Sequence, residues 1–223
     1  MKAMILAAGR GERMRPLTDT IPKPLLKVGG KPLIQHTIEN LQLAGFKQIV
    51  INLAHLGQQI REYCGNGERW NVSIDYTDEG DAALETAGGI ANALPLLGEK
   101  PFLVVNADII CDYPLVTLRN RKIDLAHLVL IENPVHHPQG DFSLTSDGLL
   151  SADGREKFTF SGIGVYHPDM FQNLPVGPLK LRPVLDQAIQ KNRISGEKYL
   201  GIWMDIGTPQ RLTEIDNLLR VSK

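Results

Sequence analysis

Glycines, arginines and one proline-flanked lysine are gathered in a single short stretch of this chain. The apolar run of residues 3–8 leads into Gly9-Arg10-Gly11-Glu12-Arg13-Met14-Arg15-Pro16-Leu17-Thr18, and Pro22-Lys23-Pro24-Leu25-Leu26 follows. Glycines let backbone amides approach an oxyanion closely, and cations neutralise what those amides bind. Residues 10–31 carry six Lys or Arg (10, 13, 15, 23, 27, 31) against two acids (Glu12, Asp19), although the net charge of the whole chain is -1. The positive charge therefore sits where the glycines are, as a polyphosphate site requires. The prolines on either side of Lys23 restrict φ and so place the ammonium group rather than merely attaching it.

Two familiar phosphate loops do not fit. No segment reads G-x4-G-K-[ST]. A dinucleotide fingerprint would need a third glycine where Met14 stands, and an acid ending the second strand where the run 48–52 ends in Asn52. A plain strand-to-helix turn with solubilising arginines remains an alternative, but it would have to explain Arg13, Arg15 and Lys23 together.

Asp108 and Asp205 each close an apolar run, Leu103-Val104-Val105-Asn106-Ala107 and Ile202-Trp203-Met204. A carboxylate just beyond a buried strand is costly unless something pairs with it. Magnesium takes one or two protein carboxylates together with substrate phosphates and water. Either aspartate alone could also be a turn or helix-cap residue. His136-His137 lacks any Cys or His partner at zinc-ligand spacing and reads as a solvated loop. Trp70 and Trp203 read as packing residues, and Gln58-Gln59 could face solvent or a ribose.

The pattern G-x-G-x-R-M-x-P-L-T with P-K-P-L-L resembles the signature of the sugar-1-phosphate nucleotidyltransferases. The likeness runs through Val105-Asn106-Ala107-Asp108 to Trp203-Met204-Asp205-Ile206-Gly207-Thr208, nearly the whole chain. It includes His55-Leu56-Gly57-Gln58-Gln59-Ile60, Leu84-Glu85-Thr86-Ala87-Gly88-Gly89-Ile90, Gly140-Asp141-Phe142 and Phe160-Ser161-Gly162. The resemblance implies an enzyme that joins a nucleoside triphosphate to a sugar 1-phosphate and releases pyrophosphate. It points to UTP and N-acetylmuramate 1-phosphate, hence to peptidoglycan recycling. Mannose 1-phosphate guanylyl transfer and glucose 1-phosphate thymidylyl or uridylyl transfer are the enzymatic alternatives. A catalytically silent nucleotide-sugar-binding subunit is another, which would predict loss of Arg13, Lys23 or a metal aspartate. A glycosyltransferase would want a compact D-x-D on a strand end, and Asp108 with Asp112 is spaced too widely for one.

By the same resemblance, Arg13 holds the leaving pyrophosphate and Lys23 bridges the α-phosphate and the sugar phosphate. Asp108 and Asp205 hold Mg²⁺. Leu6, Ala7, Ala8, Gly9, Gly11, Arg15 and Gly88 meet the nucleotide, and Asn106, Gly140, Asp141, Ser161 and Gly162 meet the sugar. Many relatives place Glu-Lys-Pro where this chain has Glu156-Lys157-Phe158, so no sugar contact is carried over to that pair. A phosphate monoester has a second pKa of about 6, so the nucleophile is already ionised at neutral pH. Neither a general base nor a covalent intermediate is required, and catalysis rests on positioning and charge neutralisation.

These residues need a scaffold, and the hydrophobic pattern supplies one. Strands are predicted over 3–8, 48–51, 73–76 and 102–105, alternating with helices over 32–44, 57–64 and 85–94. Such alternation predicts right-handed crossovers and an α/β fold: a three-layer, Rossmann-like arrangement with a mostly parallel central sheet flanked by helices. Ligands bind such sheets beyond the carboxyl ends of the strands, so the glycine loop and Asp108 should share one edge. Beyond a strand at 126–131, residues 133–156 are rich in turn formers and predict a small antiparallel insertion covering the sugar side, with Ser146-Asp147-Gly148 as its turn. A strand over 158–166 and helices over 181–190 and 208–219 complete the expectation.

At 223 residues, 43% hydrophobic and 22% charged, the chain fits a single domain, 1–223, with a nucleotide-binding half (1–110) and a sugar-binding half (111–223). The chain ends before there is room for the C-terminal β-helix that some relatives carry. The near balance of 24 basic and 25 acidic groups argues against nucleic acid as a partner. No stretch suits a membrane span, and no protein partner is implied. Cys64 and Cys111, far apart and without a C-x-x-C, suggest reduced thiols in a cytoplasmic protein.

Overall fold

Near-continuous apolar runs become strands covered on both faces. The computed structural model describes residues 1–80 and 83–221. Its central sheet contains β1 (Ala3–Leu6), β2 (Gln48–Leu53), β3 (Ser73–Asp78), β4 (Phe102–Asn106), β5 (Ala126–Ile131), β6 (Thr159–Tyr166) and β7 (Ile194–Tyr199). The spatial order is β7-β5-β6-β4-β1-β2-β3. β6 runs antiparallel to both of its neighbours, while the other pairings in this sheet are parallel.

The two-residue period of each strand divides the core between two helical layers. Ala3 and Ile5 of β1, with Ile49 and Ile51 of β2, face α1 (Leu33–Leu43) and α2 (Gly57–Cys64). The α1 contribution, Ile34, Ile38 and Leu41, has the spacing of one helical face. Met4, Val50 and Val104 point the other way, toward Ala87, Ile90, Ala93 and Leu97 of α3 (Glu85–Leu97) and Leu185, Ala188 and Ile189 of α4 (Leu181–Ile189). The three-layer expectation holds.

A third cluster joins Met14, Leu26, Val28 and Leu33 to Ile206 and to Ile215 of α5 (Pro209–Val221). It anchors the segment after the glycine loop to the chain around Asp205. Other departures from the sequence expectation have local causes. β1 stops at Leu6 because the Ala7 amide donates to the Asn52 side chain at 2.8 Å instead of continuing the ladder. β7, with Gly196, Glu197 and Lys198, lacks an apolar run, and its edge position explains why. The expected hairpin is present: 143–144 pairs with 150–151, and the Gly148 amide donates to the Thr145 carbonyl at 3.0 Å. It is seated on β7, where the Gly196 amide donates to the Gly148 carbonyl at 2.9 Å.

Candidate active site

Leu6 is in register with Asn52 on one side and Asn106 on the other, so the carboxyl ends of β2, β1 and β4 form one row. The chain passes from β1 outward to β2 and β3, then crosses to β4 on the opposite side of β1. This is a topological switch point, where ligands enter open α/β sheets. A cavity of about 590 Å³ opens there, lined by residues 6–14, Lys23, Asn52, Glu79, Asn106, Asp108 and Gly207, among others.

Leu6, Ala7, Ala8, Gly9 and Gly11 thus all border this cavity. Gly11 is left-handed (φ +65°), and a Cβ there would lie 3.0 Å from the Thr18 methyl carbon and 3.1 Å from Cβ of Lys23. The lysine stem lies against the glycine, which leaves the ammonium to pair with the Asp108 carboxylate. The Thr18 hydroxyl closes the loop by donating to the Gly11 carbonyl at 2.9 Å. Arg13 borders the cavity, as does Arg10, which sequence reasoning did not single out. Arg15 does not. It follows the buried Met14 and is turned to solvent, where it pairs with Asp19 at 3.2 Å, outside the cavity lining.

Beneath the loop lies a polar pair that sequence reasoning passed over. Asn52, buried, accepts from the Ala7 amide and donates to Glu79 at 2.6 Å, and the other Glu79 oxygen accepts from the Leu84 amide at 2.7 Å. Gly89 makes room for them: a Cβ there would lie 2.5 Å from a Glu79 oxygen and 2.9 Å from the Asn52 amide nitrogen. Gly88 has the same kind of role toward residues 177–179. Its amide donates to the Leu179 carbonyl at 3.2 Å, and a Cβ would overlap the Gly177 carbonyl. It does not line the cavity, where Glu85 and Thr86 stand instead.

Asp108 and Asp205 are brought together by a short ribbon, 109–111 with 203–205. Asp205 is opposite Ile109, and the Ile206 amide donates to the Asp108 carbonyl at 2.9 Å. Asp108 lines the cavity. Asp205 is outside the lining, two residues before the cavity-lining Gly207, and its Oδ2 lies 3.1 Å from where a Cβ on that glycine would be. Its Oδ1 pairs with Arg211 and, at 3.1 Å, with His136. His136, exposed on its loop as the sequence suggested, thus also stands beside an acid of the site; its neighbour His137 pairs with Asp141 at 3.2 Å.

A second cavity, of about 310 Å³, shares Glu85, Thr86 and Asn106 with the first. Of the residues expected at the sugar, Asn106 and Asp141 line it, while Gly140, Ser161 and Gly162 do not. The Asp141 carboxylate already accepts from the Phe160 amide at 2.8 Å. The buried Ser161 hydroxyl accepts from the Ile163 amide at 3.2 Å, and its carbonyl accepts from the Trp203 indole at 2.8 Å. Gly162 (φ +82°) lies in the irregular stretch of β6, and a Cβ there would lie 2.6 Å from the Asn106 side-chain nitrogen. It supports Asn106 from behind. Gly140 (φ +62°) is wedged against Asn133. Glu156 and Lys157 are absent from the lining, whereas Lys180 and Arg182, which sequence reasoning did not single out, are present.

Neither cysteine offers a nucleophile. Burial pushes the Cys64 thiol up to about 12 and the Cys111 thiol up to about 11.

Known proteins resemble this chain in sequence and in fold. The profile of the family described as Nucleotidyl transferase matches residues 2–142. An N-acetylmuramate alpha-1-phosphate uridylyltransferase of Neisseria meningitidis is 52% identical, covering 98% of this chain and 98% of its own length. A Caulobacter vibrioides protein of the same description is 33% identical over 93% of this chain and 92% of its own. A solved Bacillus anthracis structure, assigned as a glucose-1-phosphate thymidylyltransferase, superposes with a TM-score of 0.86 over 99% of this chain and 95% of that one; at 23% identity the likeness is one of fold.

Proposed function

The chain belongs to the nucleotidyl transferase family, and from that premise we propose that it transfers the uridylyl group of UTP to N-acetylmuramate 1-phosphate. The products are UDP-N-acetylmuramate and pyrophosphate, and the reading puts the enzyme in cytoplasmic peptidoglycan recycling. The observation that carries it is the Lys23–Asp108 pair in the cavity lined by the glycine loop, with a second cavity large enough for a sugar adjoining it at Glu85, Thr86 and Asn106. Residues 1–110 supply most of the nucleotide side, and 111–223 most of the sugar side.

In this reading a sugar-phosphate oxygen bonds to the α-phosphorus as the bond to the β-phosphate oxygen breaks. The electron pair leaves with pyrophosphate. No proton need be removed, because the second ionisation of a phosphate monoester is largely complete at pH 7. What the chain supplies is placement and positive charge. Amides of residues 6–11 approach the base and triphosphate, Arg13 and Arg10 meet the departing phosphates, and Lys23 meets the α-phosphate and the sugar phosphate.

The donor set at the phosphate end suits Mg²⁺, a hard cation that takes oxygen ligands. Asp108 Oδ1 and Asp205 Oδ2 make no hydrogen bond among the described residues, and Lys23 and Arg211 balance the charge meanwhile. These two carboxylates would hold the ion. When bound, it would neutralise phosphate oxygens and align the two substrates.

The test is pyrophosphate release with Mg²⁺ over UTP, dTTP and GTP against N-acetylmuramate, N-acetylglucosamine, glucose and mannose 1-phosphates. Preference for UTP with N-acetylmuramate 1-phosphate supports the reading. Another productive pair would retain the chemistry and replace the substrates, and silence across the grid from folded protein would overturn it.

A further inference from the structure

N-acetylmuramate differs from N-acetylglucosamine by a lactyl ether, a small branched group with a methyl and a carboxylate. A site selecting this sugar must place a cation where that carboxylate arrives, beside an apolar wall for the methyl. Among the described residues lining the second cavity, the apolar wall is Phe142, Phe160, Leu181 and Leu185, and the cations are Lys180 and Arg182.

We propose that Lys180 and Arg182 form the subsite for the sugar's lactyl carboxylate and so determine selection for N-acetylmuramate over its neutral counterpart; this rests on the function proposed above. Arg182 is held ready for that task. Its Nε donates to both oxygens of Asp186, at 2.8 and 3.0 Å, and its guanidinium lies 4.7 Å from the centre of the buried Phe142 ring. Those contacts fix the guanidinium plane while Nη1 and Nη2 have no partner among the described residues. A guanidinium with free terminal nitrogens presents planar donors to a carboxylate. Lys180, two residues earlier, is exposed and makes no side-chain hydrogen bond or ion pair among the described residues.

The two acids in the same lining do not cancel these cations. Asp141 is engaged with the Phe160 amide and His137. Glu85 stands with Thr86 and Asn106 where the two cavities meet. A neutral hexose would leave the cations without an anionic partner, whereas the lactyl group satisfies wall and charge together.

Calorimetric binding of UDP-N-acetylmuramate and UDP-N-acetylglucosamine isolates the lactyl group, because the ligands are otherwise alike. The wild type should prefer the muramate nucleotide. In K180Q/R182Q the ratio of the two affinities should fall by about tenfold or more toward unity, the loss of one charge-assisted contact being worth about that factor. K180R/R182K should keep the preference. Equal weakening of both ligands, or an unchanged ratio in the glutamine variant, overturns the assignment while the wild-type preference still stands. If the wild type itself shows no preference and turns over another sugar phosphate, the parent reading fails and the subsite falls with it. Circular dichroism and thermal midpoints of the variants establish that they are folded.

Discussion

The side-chain amide of Asn52 donates to the carboxylate of Glu79 at 2.6 Å while its carbonyl oxygen accepts from the Ala7 amide at 2.8 Å. A carboxylate in its place could not do both. Asn52→Asp keeps the acceptor for Ala7 but sets two carboxylates against each other under the glycine loop. The expected cost is about 2–4 kcal/mol, with a raised KM for UTP. Adding Glu79→Gln restores a donor to the pair and should recover most of both losses. Urea unfolding and UTP kinetics of the single and double variants check this; no recovery in the double variant would mean that the pair does not support the loop in this way.

Asp108 and Asp205 are partly exposed, and an isosteric amide still accepts from Lys23 or Arg211, so their replacement should affect chemistry far more than folding. Asp108→Asn and Asp205→Asn should each reduce turnover by about a thousandfold or more, while the thermal midpoint changes little. A chelator should abolish pyrophosphate release without lowering the midpoint of the ligand-free protein. Near-normal turnover in both variants would sink the metal assignment.

Arg13 and Arg15 are two residues apart and should behave differently. Arg13 borders the cavity, whereas Arg15 is in a solvent-exposed pair with Asp19. Exposed pairs contribute at most about 1 kcal/mol, so Arg15→Gln should stay within about twofold of wild-type kcat/KM. Arg13→Gln should lose about a hundredfold or more, through lost charge stabilisation of the leaving group. Equal losses in the two would return Arg15 to the site.

How far these roles could be read from sequence depended on how distinctive each residue type was in its context. Lys23 between prolines, and aspartates ending apolar runs, are chemically unusual and stood out. So did the parallel strands, whose unbroken apolar runs signal burial on both faces. Asn52 was visible but negative, noticed only because it was not an acid. Its partner Glu79 lies at the end of another strand, a pairing that sheet register creates and local pattern does not reveal. Gly88 resembled a ligand-approach glycine, yet it clears space for the Gly177 carbonyl, as Gly89 does for the Asn52–Glu79 pair. Lys180 and Arg182 were hidden by being ordinary: charges at a helix start acquire meaning only once they line one cavity with Phe142 and Phe160.

His127 sits fully buried in β5, far in sequence from its partners. Its Nδ1 is 2.8 Å from the Ser195 hydroxyl, and its Nε2 is 3.6 Å from Glu197. Burial, reinforced by Arg121, pushes its pKa down to about 4 despite Glu197. The unfolded chain binds a proton near pH 6.5 and the folded one does not, so stability present above pH 6.5 is lost as the pH falls toward 4. Between pH 6.5 and 5.5 the loss should be roughly 1 kcal/mol. Burial works against ionisation of Glu197, but Tyr113, Arg121 and His127 outweigh it and hold its carboxyl below the usual range, so its contribution disappears only at lower pH. His127→Asn, which keeps a partner for Ser195, should flatten the slope of urea stability over pH 5.5–7. An unchanged slope would assign the acid sensitivity to other groups.

Glu85 opens α3 in the left-handed region, at φ +58°, where an L residue other than Asn or Asp is strained. Its carboxylate has no hydrogen bond or ion pair among the described residues, and it stands where the two cavities meet. Strain of this kind persists where surrounding structure enforces it, and it gathers at ligand sites. Glycine adopts the same backbone freely, so Glu85→Gly should raise stability by about 0.5–1 kcal/mol. If the carboxylate meets a sugar hydroxyl, the same substitution should raise KM for the sugar phosphate and leave KM for UTP nearly as it was. Thermal unfolding and steady-state kinetics on the one variant separate the two effects. Greater stability with unaltered kinetics would make Glu85 strained without a role in binding, and lower stability would mean that its side chain packs well enough to offset the backbone cost.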